Sequence, residues 1–168
     1  MTAKLLTAGP WPEPAVVTDD VLPLAVIRQE GVRITDLPRI FDAVFSAAPA
    51  AIAGSGASIA GPAIAVYEGD PSAEFTIEAG FPVAEPLAAP VSAGTFSVVP
   101  AEIPAGWLAV VTHLGSYEDL PHSWERLMRW VADEGIARAP RFGELYVTAP
   151  TPDGDPAALR TDLFLTLA

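Results

Sequence analysis

The tripeptide Asp36-Leu37-Pro38 returns as Asp119-Leu120-Pro121, 83 positions later, each time at the head of the same kind of segment. After the first copy, Leu37, Ile40, Phe41, Val44 and Phe45 follow the i, i+3, i+4, i+7, i+8 stripe of an amphipathic helix; after the second, Leu120, Trp124, Leu127, Met128 and Val131 make a second helical stripe. Asp36 suits the N-cap and Pro38 the first turn. At this shift Phe41 meets Trp124, Val44 meets Leu127 and Phe45 meets Met128. A capped helix start can recur by chance, but here its neighbours recur too. A strand over 21–29 precedes the first helix, and strands over 63–68 and 74–79 follow it. A strand over 107–114 precedes the second helix, which Gly135 ends, and strands over 142–148 and 158–167 follow, joined by the turn-rich Pro150–Pro156. A shorter helix-to-strand loop lets Tyr67 meet Tyr146, and Glu78 falls opposite Asp162.

The pattern predicts an α+β fold of tandem duplicated βαββ halves, about 21–83 and 105–168. Pseudo-twofold symmetry, antiparallel sheets with one long helix each and a central ligand cleft are expected to go with it. Residues 1–20, with Pro10, Pro12 and Pro14 and no period, read as an N-terminal tail or lead-in strand. Pro82–Pro104 links the halves, with Gly94–Ile103 as an edge strand.

Composition narrows the function. With 9 Lys and Arg against 21 Asp and Glu, the net charge of −12 offers little to neutralise phosphates, so direct nucleic-acid binding and anionic membranes are not expected. There is no cysteine, and His113 and His122 are the only imidazoles, so neither a metal nor a cofactor is expected. Met1–Leu6 lacks the apolar core of a signal peptide, and no run approaches the length of a membrane span, which reads as a cytoplasmic protein. No serine–histidine–acid set supports a hydrolase triad, and no glycine-rich loop precedes a helix to hold phosphates.

Two packed halves leave their concave site at the interface, so the duplicated strands are the place to look for chemistry. Alternation puts Glu144 and Tyr146 on one face, and Ala65 and Tyr67 on the matching face. A partly buried acid is costly, and a cationic or hydrogen-bond-donating ligand compensates it, with aromatic faces attracting the same cation. The bland alternative puts Glu144 at a strand edge in water or pairs it with Arg141 or Arg160. Trp107 and Tyr117, at element ends, are candidate wall residues. Trp124 falls on the core stripe, Trp130 off it, and His113 reads as a structural hydrogen-bonder within its strand.

These segments carry a family resemblance. Ala63–Tyr67, Glu78–Val83, Gly106 through His113-Leu114-Gly115-Ser116-Tyr117, and Glu144–Thr148 with a late acid resemble the GyrI-like, or AraC-type effector-binding, domain family over about 21–168. The resemblance implies tandem βαββ halves and binding of amphipathic, often cationic, compounds in the central cleft by the acid at Glu144 and surrounding aromatics. Many relatives join the domain to a helix-turn-helix; only a short stretch precedes Val21, so a self-contained transcription factor is not expected. Trp107 stands where many relatives have a smaller or basic residue, which leaves ligand identity open.

Three functions compete. The first is a stand-alone binding module that senses or sequesters an amphipathic aromatic or cationic compound, with Glu144, Tyr146, Tyr67, Trp107 and Tyr117 as the ligand-binding set. The second, implied by the resemblance to stand-alone relatives, is a hydrolase of strained cyclopropane-containing genotoxic natural products in which Glu144 is the catalytic residue, directing a water or stabilising a leaving group. The third is an acidic protein-interaction or gyrase-modulating module with an unidentified protein partner, although a charge of −12 reads first as solubility.

Overall fold

The computed structural model describes residues 3–148 and 151–168; Met1 and Pro150, which open two of the stretches read above, lie outside them. In chain order the elements are α1 (Lys4–Thr7), β1 (Ala15–Asp19), β2 (Leu22–Val32), α2 (Leu37–Gly54), β3 (Ile64–Gly69), β4 (Phe75–Pro82) and β5 (Val91–Ala93). They continue with β6 (Phe96–Ile103), β7 (Gly106–Leu114), α3 (Leu120–Asp133), β8 (Arg138–Tyr146) and β9 (Arg160–Leu167). Short 3-10 turns at Ile34–Asp36 and Tyr117–Asp119 lead into α2 and α3. The chain forms two compact units: Val21–Pro104, and Ala105–Ala168 together with the residues up to Asp20.

In the unit Val21–Pro104 the strands pair antiparallel in the order β3-β4-β2-β6-β5. Helix α2 buries Ile40, Val44, Ala48 and Ile52. The Phe45 ring meets Phe81 edge-on at 5.9 Å, so the helix lies on the sheet face that carries Phe81. The other unit has the antiparallel order β8-β9-β7-β1. Its core joins Leu127 and Val131 of α3 to Ala109, Val111, Leu163 and Leu165, with Trp124, Met128 and Phe142 packed against it. Each unit is therefore α+β, with one long helix on an antiparallel sheet and the same strand–helix–hairpin wiring, as the repeat predicts.

The register makes the repeat quantitative. Gln29, Ile77 and Tyr67 form one cross-strand row, and His113, Thr161 and Tyr146 form its counterpart; the next rows are Ile27–Ala79–Ala65 and Val111–Leu163–Glu144. The first strands thus align at a shift of 84 (113 − 29), whereas the helix leads align at 83 (119 − 36). The odd residue sits in a β-bulge between Gln29 and Val32, where Gly31 takes a φ of +64° that other residues rarely adopt.

Two expectations need correction. Residues 3–20 do not hang free as a tail: β1 pairs with β7 from Ala15–Val110 to Asp19–Gly106, and Ala3 and Leu5 are buried. Trp11 extends the attachment, its N–H donating to the Thr112 hydroxyl at 2.8 Å while its carbonyl accepts the Thr112 N–H at 2.8 Å. That hydroxyl in turn donates to the buried Asp162 at 2.7 Å, and Arg160 holds the same carboxylate at 2.8 Å. Backbone pairing, the Thr112 hydroxyl, buried Leu5 and an ion pair between Glu13 and Arg126 make this attachment, and none of them belongs to a side-chain period. Second, β6 pairs with both β2 and β5 and is not an edge strand; three-residue β5 folds back on it through Gly94.

Candidate functional site

Glu144 lies in β8 on the face covered by α3, because its cross-strand partner Leu163 belongs to the core beneath that helix. It is only 8% exposed, and Arg160 is committed to Asp162, so neither a carboxylate in water at a strand edge nor a pair with Arg160 describes it. Two neutral donors aim the group: the Trp124 indole N–H donates to Oε2 at 3.2 Å, and the Tyr146 hydroxyl donates to Oε1 at 3.0 Å. Strand alternation explains the second bond, since residues two apart on β8 stand on the same face. The first comes from the helix, whose stripe brings Trp124 over the sheet with its ring edge-on to Phe142 at 5.6 Å.

Tyr117, in the turn before α3, completes the cluster. Its ring meets Tyr146 edge-on at 6.0 Å and is 36% exposed, so it forms the solvent-facing side of the group. Burial, and then the Glu144 charge, push its phenol above the ordinary tyrosine value. The Glu144 charge is thus felt at an aromatic ring that water reaches.

Trp107 stands apart from this cluster within its unit, and Tyr67 belongs to the other unit. Trp107 is 56% exposed at the start of β7, on the same sheet face but four residues along the strand from Val111, the residue in the Glu144 row. Four residues are about 13 Å of strand, which keeps it out of the cluster. Tyr67 occupies the Tyr146 position of the unit Val21–Pro104, where it is buried edge-on against Phe75 at 5.6 Å. Two residues before it on the same strand face, at the position equivalent to Glu144, is the fully buried Ala65. Trp130 packs partly buried against the α3 core and is not a free surface ring. Trp124 is the site residue that pattern reading assigns to packing alone. Among the described residues, no group of three or more His, Asp or Glu is placed to hold a metal ion, and no helix is long and apolar enough to cross a membrane.

The model of the GyrI-like small molecule binding domain matches residues 12–168. The chain belongs to this family. The resemblance read from Gly106–Tyr117 and Glu144–Thr148 is borne out, and the match extends into the N-terminal segment that pairs with β7.

The GyrI-like fold is shared with solved structures of low sequence identity. The C-terminal domain of EcmrR is 20% identical with a TM-score of 0.69, over 93% of this chain and 97% of that one. SAV2435, solved bound to tetraphenylphosphonium, is 10% identical with a TM-score of 0.67, over 93% and 94%. A hydrolase encoded by lin2189 from Listeria innocua is 11% identical with a TM-score of 0.62, over 96% and 95%. Among proteins of curated function, none matches the sequence.

Proposed function

We propose that this GyrI-like domain binds an amphipathic organic cation at the surface formed by Glu144, Tyr146, Tyr117 and Trp124, with sensing or sequestration as the outcome. The observation that carries the reading is the buried carboxylate of Glu144, aimed by Trp124 and Tyr146 and felt electrostatically at the half-exposed Tyr117. A cation seated against the two tyrosines gains the ring faces and the carboxylate charge together. Apolar parts of the ligand gain from covering the rings, since burial of aromatic area contributes without directional demands. SAV2435 has been solved with a lipophilic aromatic cation, which makes tetraphenylphosphonium a suitable first probe for this chain.

The test is titration of the pure protein with tetraphenylphosphonium and with cationic aromatic dyes, followed by tryptophan fluorescence and by the mass of the ligand after incubation. Trp124 touches Glu144, so the part of the signal that is lost in Trp124→Phe is the part that follows occupancy. The expected result is saturable quenching with every ligand recovered unchanged. No saturable binding of any cation would refute the reading. A ligand recovered with the mass of one added water would replace it by hydrolysis, with Glu144 as the acid or base.

A further inference from the structure

His113 lies near the end of β7 on the face covered by α3 and is 4% exposed. Its two ring nitrogens hold two different segments of chain. Nε2 is 2.8 Å from the Ser116 carbonyl and Nδ1 is 2.7 Å from the Ser123 hydroxyl. A carbonyl oxygen can only accept, so the proton is assigned to Nε2, and Nδ1 accepts from the serine O–H. Each serine immediately precedes an aromatic residue of the site: Ser116 precedes Tyr117, and Ser123 precedes Trp124. The Ser116 hydroxyl also accepts the Glu118 N–H at 3.1 Å, which fixes the turn that carries Tyr117.

The register ties this clasp to the acid. His113, Thr161 and Tyr146 form one row across β7, β9 and β8, and Tyr146 donates to Glu144. Thr161, between the two, is fully buried, and its hydroxyl finds no hydrogen-bond partner among the described residues. The imidazole is therefore the polar group of β7 and β9 in this row that reaches up to the turn and the helix.

We propose that His113 is a positioning residue for the Glu144 site: by tying the Ser116 turn and the first turn of α3 to β7, it sets Tyr117 against Tyr146 and the Trp124 indole N–H on Glu144. The predicted effect on ligand affinity rests on the function proposed above, whereas the effect on Trp124 and Tyr117 belongs to the protein without ligand. A phenylalanine ring fills the same space and can hold neither serine. A glutamine can donate to the Ser116 carbonyl and accept from the Ser123 hydroxyl.

The experiment compares His113→Phe, His113→Gln and Ser123→Ala in the full chain. The Trp124 indole N–H resonance is assigned by its loss in Trp124→Phe, and the Tyr117 ionisation by its loss in Tyr117→Phe. In His113→Phe the indole resonance moves toward that of an unbonded N–H and the Tyr117 ionisation falls toward the ordinary tyrosine value. Tetraphenylphosphonium binding weakens about two- to tenfold, the span of one net hydrogen bond. His113→Gln restores most of all three. Ser123→Ala moves the Trp124 signal and leaves Tyr117 in place, and it decides the matter if His113→Phe does not fold. Unmoved Trp124 and Tyr117 signals in a folded His113→Phe or Ser123→Ala protein, or a glutamine variant that behaves like phenylalanine, would overturn the proposal. If wild type binds no cation while Trp124 and Tyr117 still answer to His113, the ligand reading fails and the positioning role stands.

Discussion

Replacing Glu144 by glutamine removes one charge from the cluster and leaves its shape. The amide oxygen accepts the Trp124 N–H, and the amide nitrogen donates to the Tyr146 oxygen, so both contacts survive in altered form. Stability is expected to change by less than about 1 kcal/mol. Binding of a cation should change more. With Tyr146 bonded to the acid at 3.0 Å and Tyr117 6.0 Å from Tyr146, a cation on these rings lies near the carboxylate. At a separation of about 6 Å, the attraction is about 3 kcal/mol for an effective dielectric of about 20 and about 0.7 kcal/mol in bulk water. The loss for tetraphenylphosphonium is then roughly 3- to 100-fold in affinity. Tetraphenylborate has nearly the same size and the opposite charge, so its binding should strengthen in the same variant. Calorimetric titration of both ions at low and high salt measures this, with the difference between them shrinking as salt screens the charge. Equal weakening of both ions, or no change in either, would refute the assignment of counter-charge to Glu144.

Tyr117 holds its proton more tightly in the folded protein than in the unfolded chain, so its contribution to stability is complete below a pH of about 10 and is lost as pH rises beyond it. Tyr117→Phe should flatten the alkaline limb of the stability curve, and Glu144→Gln should lower the Tyr117 ionisation measured by phenolate absorbance. Thr112→Val takes an acceptor from the Trp11 N–H and a donor from buried Asp162, so it should cost about 1–3 kcal/mol and speed amide exchange at Trp11.

The parts of the fold that were legible in the sequence are those with a period. Both helices follow from stripes that include buried Ile40 and Val44, or Leu127 and Val131, and the repeat of Asp-Leu-Pro marks where they begin. Alternation places Glu144 beside Tyr146 and Ala65 beside Tyr67 without any knowledge of packing. What no pattern carries is the meeting of separate elements. Trp124 belongs to the stripe and does pack on Phe142, yet its indole nitrogen also reaches Glu144, twenty residues on. The attachment of residues 3–20 escapes for a different reason: Trp11 is held through its backbone, and backbone groups are the same in every sequence. Trp107, placed by its element end, illustrates the limit of that rule, since a strand has two ends and only one lies near the acid.

The two copies of the repeat contain their own control for the role of Trp124. Where the second copy has Glu144 and Trp124, the first has Ala65 and Phe41, while Tyr146 and Tyr67 are common to both. Acid and indole donor are present together in one copy and absent together in the other, as expected if the indole serves the carboxylate. Trp124→Phe alone leaves Oε2 short of a donor, and Glu144→Ala alone leaves a half-buried indole N–H without its acceptor, each costing about 1–3 kcal/mol beyond lost packing. The double variant recreates the apolar pair of the first copy and removes both deficits. Urea unfolding of the three variants should therefore give a double-variant cost smaller than the sum of the singles by about 1 kcal/mol or more. Costs that add to within about 0.3 kcal/mol would mean that Trp124 is a packing residue that happens to lie near an acid.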